Sequence, residues 1–335
     1  QNHTFNPEVI TVLAPTAVRD KLVRETVMSM SDEMVLFDAG AGQAQGSRNY
    51  QEDRCRVVLP GQFPAKTKER LAFFAIYDGH GSALVAEHAS KRLHHLLAKR
   101  PELETGDYVA ALKAALADED ALLLERFNSD SAEPAISGST AAVCLVNLTQ
   151  GELIVSNLGD SHVILAERDP KTDRPYHIRR LTEEHKPEVP RERRRIEEAG
   201  GEVTMRGGTA RLGSLNMSRT LGDLQYKNPV KEEHDPSSRP GARRGSSSSA
   251  ESFLSNDPFT SRRTLQADRR YLLVIVSDGV SDTTEDAALI QHVMELAMRG
   301  RRASEIAQEV ATNNTLHIKS DNASCVVAML DGQRS

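Results

Sequence analysis

The stretch "LAFFAIYDGHGSALVAEH" (residues 71–88) decides the fold and raises the first question about function. An apolar run from Leu71 to Tyr77 ends in Asp78-Gly79-His80-Gly81, and a helical pattern follows at once. A short, continuous apolar run bounded by turn residues predicts a strand inside a packed core. The four residues after it fit either a tight turn or a functional site, so the rest of the chain must decide.

The other elements predict a layered α+β domain. Apolar, β-branched segments predict further strands at 54–59, 140–148, 152–160, 162–168, 271–279 and 323–330. The segment 34–54 is interpreted as a strand entering a glycine-rich loop. The segments 140–148 and 152–160 are joined by a short turn and predict a hairpin. Helical periodicity marks 82–99, 108–127, 190–201, 285–300 and 303–314. Long helices interleaved with hairpin-linked strands favour α+β layers over a simple parallel sheet.

Composition excludes several classes of function. The 335 residues carry a formal net charge of −6, so no electrostatic footprint for nucleic acid is expected. The basic run at 191–195 has acids around it and is interpreted as a solvated helix face. Three cysteines without paired spacing argue against a disulfide framework or a zinc site, and predict buried free thiols in a reducing compartment.

The sequence also allows expectations about membrane insertion, cellular location and one flexible segment. No apolar segment approaches the roughly 20 residues of a membrane span. The chain starts at Gln1, so we expect any targeting segment to lie outside it, and an intracellular home in cytosol, nucleus or mitochondrion stays open. The serine-rich segment 231–253 has no periodicity and predicts a flexible insertion, because it buries too little apolar surface to offset ordering.

Acidic residues recur at the predicted ends of strands. These acids are Asp53, Asp78, Asp160, Asp278, Asp282 and Asp321. Any one of them could simply form a turn with glycine. If the strands lie side by side, however, several carboxylates crowd together and call for a cation. Oxygen ligands without a Cys or His partner at metal spacing suit Mg²⁺ or Mn²⁺ and disfavour zinc.

An arginine and a histidine extend this constellation. Arg48 precedes the first acids of the glycine-rich loop, and His80 follows Asp78. A guanidinium can hold phosphate oxygens in a fork, and an imidazole can protonate a leaving oxygen. Together with divalent cations, these residues favour metal-assisted hydrolysis of a phosphoester. The chain has no glycine loop of the GxxxxGK[ST] type, so nucleotide binding is not required.

Nine motifs in order now resemble the metal-dependent serine/threonine protein phosphatases of the type-2C (PPM) family. They are "SRNYQED" (47–53), "YDGHG" (77–81), "SGSTAAV" (137–143), "NLGDSHVIL" (157–165), "LTEEHKP" (181–187), "RRIEEAGGEV" (194–203), "RLGSLNMSRTLGD" (211–223), "VSDGVSD" (276–282) and "SDNASCVV" (320–327). The resemblance covers residues ~45–330 and implies a single catalytic domain over 1–335. It also implies a central antiparallel β-sandwich flanked by helix pairs on both faces.

The resemblance implies roles for the site residues. Asp78 would bridge two Mn²⁺ or Mg²⁺ ions, and Gly79 would offer its carbonyl. The remaining assignments are Asp278 and Asp321 to one metal, Glu52 and Asp53 to metals through waters, Arg48 to phosphate, His80 to the general acid, and Asp160 and Asp282 to a weak third metal.

The activity implied is hydrolysis of phosphoserine and phosphothreonine in proteins by a metal-activated water. The partners would be phosphoprotein substrates, and we expect a monomer. The alternative is a catalytically inactive relative that serves as a binding or scaffold protein. His162 and Glu184 depart from the family pattern, which has arginine and aspartate at these places, but neither departure removes a predicted ligand.

Overall fold

The computed structural model describes residues 33–129, 136–168, 175–227 and 252–332. The serine-rich insertion predicted at 231–253 lies outside these ranges, except for its last two residues. No helix in the described ranges is both long and apolar enough to cross a membrane.

Two five-stranded antiparallel sheets form the centre of the fold. The first contains, from edge to edge, β1 (Met34–Ala44), β15 (Ala323–Gly332), β14 (Arg270–Val276), β8 (His162–Arg168) and β9 (Pro175–Arg180). The second contains β13 (Phe259–Thr264), β7 (Glu152–Leu158), β6 (Ala141–Asn147), β3 (Leu71–Tyr77) and β2 (Arg54–Val58). The predicted hairpin is confirmed, since β6 pairs with β7.

Two smaller sheets and the helices complete the described elements. The small sheets are β4 (Gly79–His80), β5 (Gly138–Ser139) and β12 (Leu221–Gly222), and β10 (Val203–Arg206) with β11 (Thr209–Leu212). The α-helices are α1 (Leu84–Ala98), α2 (Pro101–Glu104), α3 (Tyr108–Ser129), α4 (Pro190–Glu198), α5 (Asp278–Ser281), α6 (Asp286–Met298) and α7 (Ala303–Asn313).

Three apolar cores hold four layers together. Alternate residues of the two large sheets, among them Phe74 and Ile275, face each other in the central core. The other face of β3 and β6 packs against α1 and α3. The other face of β14 and β15 packs against α6 and α7. Strands between a sheet and a helix layer are buried on both faces, which explains the continuous apolar runs. The predicted α+β sandwich with helix pairs on both faces is therefore confirmed.

One local prediction was wrong, and a second was confirmed only in part. Asp278 was expected to end a strand, but β14 ends at Val276 and Asp278 begins the one-turn helix α5. The basic run at 191–195 was interpreted as a solvated face; Arg191 and Arg194 are exposed as expected, but Glu192 in that run is completely buried. Arg219 Nη2 lies 2.5 Å from Glu192 Oε1, and Arg195 Nη2 lies 3.2 Å from Oε2. The helix is thus tied to the segment that begins at residue 218.

Candidate active site

Four predicted acidic ligands lie at one end of the sandwich, where strands of both sheets terminate. Asp78 follows β3 and Asp53 precedes β2, and the pairing of Arg54 with Tyr77 places the two acids side by side. From the other sheet, Asp278 follows β14 and Asp321 precedes β15. The two sheets meet here closely enough for the charge of Asp278 to raise the pKa of the Asp78 carboxyl group.

Burial and mutual repulsion disfavour the ionised form of these carboxyl groups. Loss of solvent raises the pKa of Asp53 to about 7, although a hydrogen bond from Ser324 opposes the rise. Loss of solvent also raises the pKa of Asp78 well above its ordinary value, and Asp53 and Asp278 add to the effect. In the absence of a cation, burial and the neighbouring charges therefore favour a proton on these carboxyl groups. A divalent cation would favour the ionised groups in its place.

Arg48 approaches these acids from the loop between β1 and β2. Its Nη2 lies 2.5 Å from Asp321 Oδ2, while 59% of its side chain remains exposed. Asn322 holds the loop in place, since its amide donates to the carbonyl of Tyr50 (3.0 Å) and its Oδ1 accepts from the N–H of Glu52 (2.8 Å). Sequence reasoning did not single out Asn322, although it stands beside Asp321 in a quoted motif.

Glu52 and Gly79 lie against each other in the same region. A Cβ atom on Gly79 would lie 2.5 Å from the carbonyl oxygen of Glu52, so this approach of the two backbones requires glycine. Burial raises the pKa of the Glu52 carboxyl, whereas the charges of His80 and Arg48 act to lower it. Glu52 is therefore close to Arg48 and His80, the two residues predicted to bind phosphate and to protonate the leaving oxygen.

His80 is held by an acid that sequence reasoning missed. Its Nε2 lies 2.7 Å from Oδ2 of Asp223, which is completely buried. The contact forms in the small sheet β12-β5-β4, where Gly138 pairs with His80 on one side and with Gly222 on the other. Thr220 Oγ1 donates a second hydrogen bond to the same Asp223 oxygen (2.8 Å). Asp223 is the last residue of the motif at 211–223, but no local sequence pattern predicts its contact with His80.

The two acids assigned to a third metal join the cluster beside a lysine. Lys186 Nζ lies 3.8 Å from Asp160 Oδ2. Burial raises the pKa of Asp160 to about 7, Asp278 adds to the rise, and Lys186 opposes it. Asp282 interacts electrostatically with both Asp160 and Asp278. Asp160 and Asp282 therefore lie near Asp278, and the ammonium group of Lys186 partly neutralises the charge of Asp160.

The departure from the family pattern at position 162 has a structural counterpart. His162 is buried, and its Nε2 lies 2.9 Å from Nη1 of Arg180. Burial lowers the pKa of His162 to about 4, and the Arg180 charge lowers it further. A neutral imidazole accepts a hydrogen bond, so Arg180 Nη1 donates to Nε2 of His162.

The oxygen atoms of these acids suit a hard divalent cation, but the acidic side chains are not arranged around a common point where an ion could bind. Within the four described ranges, no three His, Cys, Asp or Glu side chains are arranged so that they could hold a metal ion. Asp321, for example, pairs with Arg48 instead. Asp53 Oδ1 is buried and has no hydrogen-bond partner among the described residues. All these donors are oxygens, which matches the ligands preferred by Mg²⁺ and Mn²⁺.

Comparisons with known proteins agree with the site's motifs. A family model described as Protein phosphatase 2C matches residues 37–323. Protein phosphatase 2C homolog 3 of Schizosaccharomyces pombe is 29% identical over 309 residues, which are 90% of this chain and 66% of the relative. Protein phosphatase 1F of Rattus norvegicus is 35% identical over 198 residues, which are 58% of this chain and 41% of the relative.

Solved structures show the same fold. The structure described as a C. elegans sex determining protein has a TM-score of 0.68 and 24% identity, and the match covers 98% of this chain and 76% of that one. Serine-threonine phosphatase 2C from Toxoplasma gondii has a TM-score of 0.66 and 19% identity, over 89% and 99% of the two chains.

The extent of these matches defines what they show. The chain spans two thirds or less of the curated relatives described above, so it corresponds to one part of them. The family match, in contrast, spans most of this chain and runs through nearly all of the quoted motifs. The chain belongs to the protein phosphatase 2C family.

Proposed function

We propose that this protein is a metal-dependent serine/threonine phosphatase that hydrolyses phosphoserine and phosphothreonine in proteins. The observation that carries the proposal is the convergence of buried and half-buried carboxyl groups from both sheets beside Arg48 and His80. The family match and the relatives named protein phosphatases support it.

Each group of the chain has a distinct task in this proposal. The residues that would hold two Mn²⁺ or Mg²⁺ ions are Glu52, Asp53, Asp78, Gly79, Asp278 and Asp321, and Asp160 with Asp282 would hold a weaker third ion. When bound, the ions supply charge neutralisation and activate a water molecule for attack on phosphorus. Carboxyl groups with raised pKa values suit this task, because a cation relieves the repulsion that raises them.

Arg48 and His80 would handle the substrate. The exposed guanidinium of Arg48 can bind two phosphate oxygens once it releases Asp321, since arginine donates in a rigid fork. His80 would give a proton to the serine or threonine oxygen as the bond from phosphorus to that oxygen breaks. Cys55, Cys144 and Cys325 are buried, and burial raises the pKa of each thiol, so none is placed as a nucleophile.

The experiment measures phosphate release from a phosphothreonine peptide and from p-nitrophenyl phosphate with Mn²⁺, and again after EDTA. We expect Mn²⁺-dependent turnover that EDTA abolishes. Asp278→Asn should remove turnover, whereas Asp268→Asn, at an exposed acid before β14, should not. A folded protein that binds Mn²⁺ but releases no phosphate would refute the proposal and favour the alternative, an inactive binding or scaffold protein.

A further inference from the structure

Exposed apolar side chains gather at the edge of the candidate active site. Among the described residues, eight large apolar side chains are exposed, and three of them lie on the two loops that carry Arg48 and Asp321. They are Tyr50, with 76% of its surface exposed, Leu316, with 76%, and Ile318, with 91%. Single exposed apolar residues are normal, whereas several of them together indicate a binding surface. We call these three side chains the apolar rim.

Contacts between the two loops place the apolar rim beside the phosphate site. The side chain of Asn322 donates a hydrogen bond to the carbonyl of Tyr50 (3.0 Å). Arg48 Nη2 lies 2.5 Å from Asp321 Oδ2. The two loops therefore lie side by side, and the residues of the apolar rim flank the guanidinium that is proposed to bind phosphate.

A tight turn presents Ile318 to solvent. The N–H of Ser320 donates to the carbonyl of His317 (3.3 Å), which closes a turn with Ile318 and Lys319 at its centre. Lys319 has φ of 67°, in the left-handed region where the third residue of a type II turn is usually glycine. Ser320 is buried, and its Oγ donates to the carbonyl of Thr315 (3.1 Å). An unfavourable conformation persists only where the surroundings determine it, so the exposure of Ile318 belongs to a fixed turn.

The positions of the rim residues in the chain limit their distance from the phosphate site. Tyr50 is two residues from Arg48, and Ile318 is three residues from Asp321. A residue extends the chain by at most about 3.6 Å, so the Cα atoms of these pairs lie within about 7 Å and about 11 Å of each other. An extended substrate advances by about 3.3 Å per residue. A substrate side chain up to three residues from the phosphorylated residue can therefore reach the apolar rim.

The charges of the same loops favour an anionic partner. Arg48 keeps 59% of its side chain exposed, and Lys319 is exposed at the centre of the turn. Two cations beside three apolar side chains complement a peptide that carries both a phosphate group and an apolar residue. A second copy of this chain that docked by the same surface would bring like charges together, so it fits less well.

We propose that the apolar rim is a substrate-docking surface, which binds an apolar side chain up to three residues from the phosphoserine or phosphothreonine held by Arg48. The inference deepens the proposed function and rests on it. The docked side chain is remote from the reacting atoms, so its contact stabilises the bound substrate and the transition state equally. Such a contact lowers KM without raising kcat, and the surface would therefore select among phosphoproteins.

A series of peptides tests this preference in the wild-type protein. One leucine is moved from three residues before to three residues after the phosphothreonine of a peptide that otherwise contains serine, and Mn²⁺-dependent phosphate release is measured. We expect kcat/KM for at least one leucine position to exceed that of the leucine-free peptide by about five- to tenfold, through KM. The effect is smaller than that of complete burial, because an open surface removes only part of the side chain from water. Equal kcat/KM for all peptides would overturn the inference.

Substitutions on the turn assign the preference to the apolar rim. The double variant Leu316→Ser, Ile318→Ser should reduce the leucine preference to less than about twofold. Met298→Ser, at a residue that is 62% exposed at the end of α6, should keep the wild-type preference. Lys319→Gly should keep it as well, because glycine suits the backbone of the turn and leaves Ile318 in place. A full leucine preference in the double variant, or its loss in Met298→Ser or Lys319→Gly, would overturn the inference.

The same measurements separate this inference from the proposed function. A folded wild-type protein that binds Mn²⁺ but releases no phosphate from p-nitrophenyl phosphate would refute the proposed function. A wild-type protein that hydrolyses this ester and all the peptides without a leucine preference would refute only the docking surface. Sedimentation velocity examines the other occupant: a wild-type dimer that dissociates in the double variant would assign the apolar rim to a second copy of this chain and overturn the inference.

Discussion

A single methyl group at Gly138 would disturb the His80–Asp223 contact directly. A Cβ atom at this position would lie 1.9 Å from Asp223 Oδ2 and 2.4 Å from His80 Nε2. Ordinary contacts of a Cβ begin at 3.4 Å, so Gly138→Ala must displace the carboxylate by about 1.5 Å (3.4 − 1.9) and the imidazole by about 1 Å (3.4 − 2.4). The backbone of Gly138 does not have a positive φ, so alanine adds no backbone strain.

The expected result is a loss of turnover in a folded protein. A misplacement of about 1 Å in a catalytic group can cost on the order of 10²-fold in rate. We therefore expect Gly138→Ala to lower kcat on a phosphothreonine peptide by about ten- to a hundredfold, with an intact circular dichroism spectrum. The effect on 2,4-dinitrophenyl phosphate should be smaller, since that leaving group needs no proton donor.

The chain offers a matched control for this substitution. Gly61 follows β2, and nothing lies within 4 Å of the position where its Cβ would stand. Gly61→Ala should leave turnover within about twofold of wild type, because most surface substitutions have small effects. If Gly138→Ala is as active as Gly61→Ala while equally folded, the geometry argued for His80 and Asp223 is wrong.

Three further predictions concern the metal, one of its acids and the buried ion pair. Saturating Mn²⁺ should raise the free energy of unfolding by about 3 kcal/mol at 100 times Kd, measured by urea titration, and an unchanged midpoint would contradict metal binding. Asp278→Asn should weaken that Mn²⁺-dependent stabilisation without altering the circular dichroism spectrum of the metal-free protein, and full stabilisation in the variant would argue against this ligand. Burial raises the pKa of Glu192, but hydrogen bonds and the charge of Arg219 outweigh it and lower the pKa from 4.5 to about 2. This lowering stabilises the fold by about 3 kcal/mol at pH 7 and is lost as the pH falls from 4.5 through 2, with less than half left at pH 3. In urea titrations, the free energy of unfolding of Glu192→Gln should be lower than that of wild type by about 3 kcal/mol at pH 7 and by less than half of that at pH 3. The control Glu197→Gln, at an exposed acid, should cost less than about 0.5 kcal/mol. If both variants lost the same free energy at every pH, the assignment of this stability to Glu192 would be wrong.

The sequence predicted those elements that are buried on both faces. The strands around Phe74 and Ile275 read as continuous apolar runs, because helices cover one side and the opposite sheet the other. The edge strand β13 was not predicted, because its sequence "FTSRRT" carries charge and contributes little to the core. Charged edge strands avoid pairing with other chains, and they lose the apolar signal for the same reason.

The candidate site was predictable only where its residues share a local pattern. Acids at strand ends could be recognised one by one, and the order of the strands then brought them together. Asp223 and Asn322 act through contacts across the fold, with 143 residues between Asp223 and His80 and 270 between Asn322 and Glu52. Such pairs depend on register and topology, which a single sequence does not encode in any local spacing.

The buried acids of this protein divide into two groups by how they are neutralised. In one group the chain itself supplies a cation, as Arg219 does for Glu192 and Lys227 does for Asp120, each at 2.5 Å. Buried acids are costly, and such pairing is the usual way in which a fold tolerates them.

Asp53 and Asp78 form the other group. Asp53 is completely buried and Asp78 is half-buried, yet no Lys, Arg or His in the described part of the chain forms an ion pair with either of them. The pKa of each of these two carboxyl groups is raised instead. A fold that pairs its other buried acids but leaves two adjacent ones without a cation provides a place for a cation from solution. Because Asp53 precedes β2 and Asp78 follows β3 in one sheet, and both lie near Asp278 from the other sheet, that cation would also join the two halves of the sandwich. We therefore expect metal binding and the rigidity of the candidate active site to be linked.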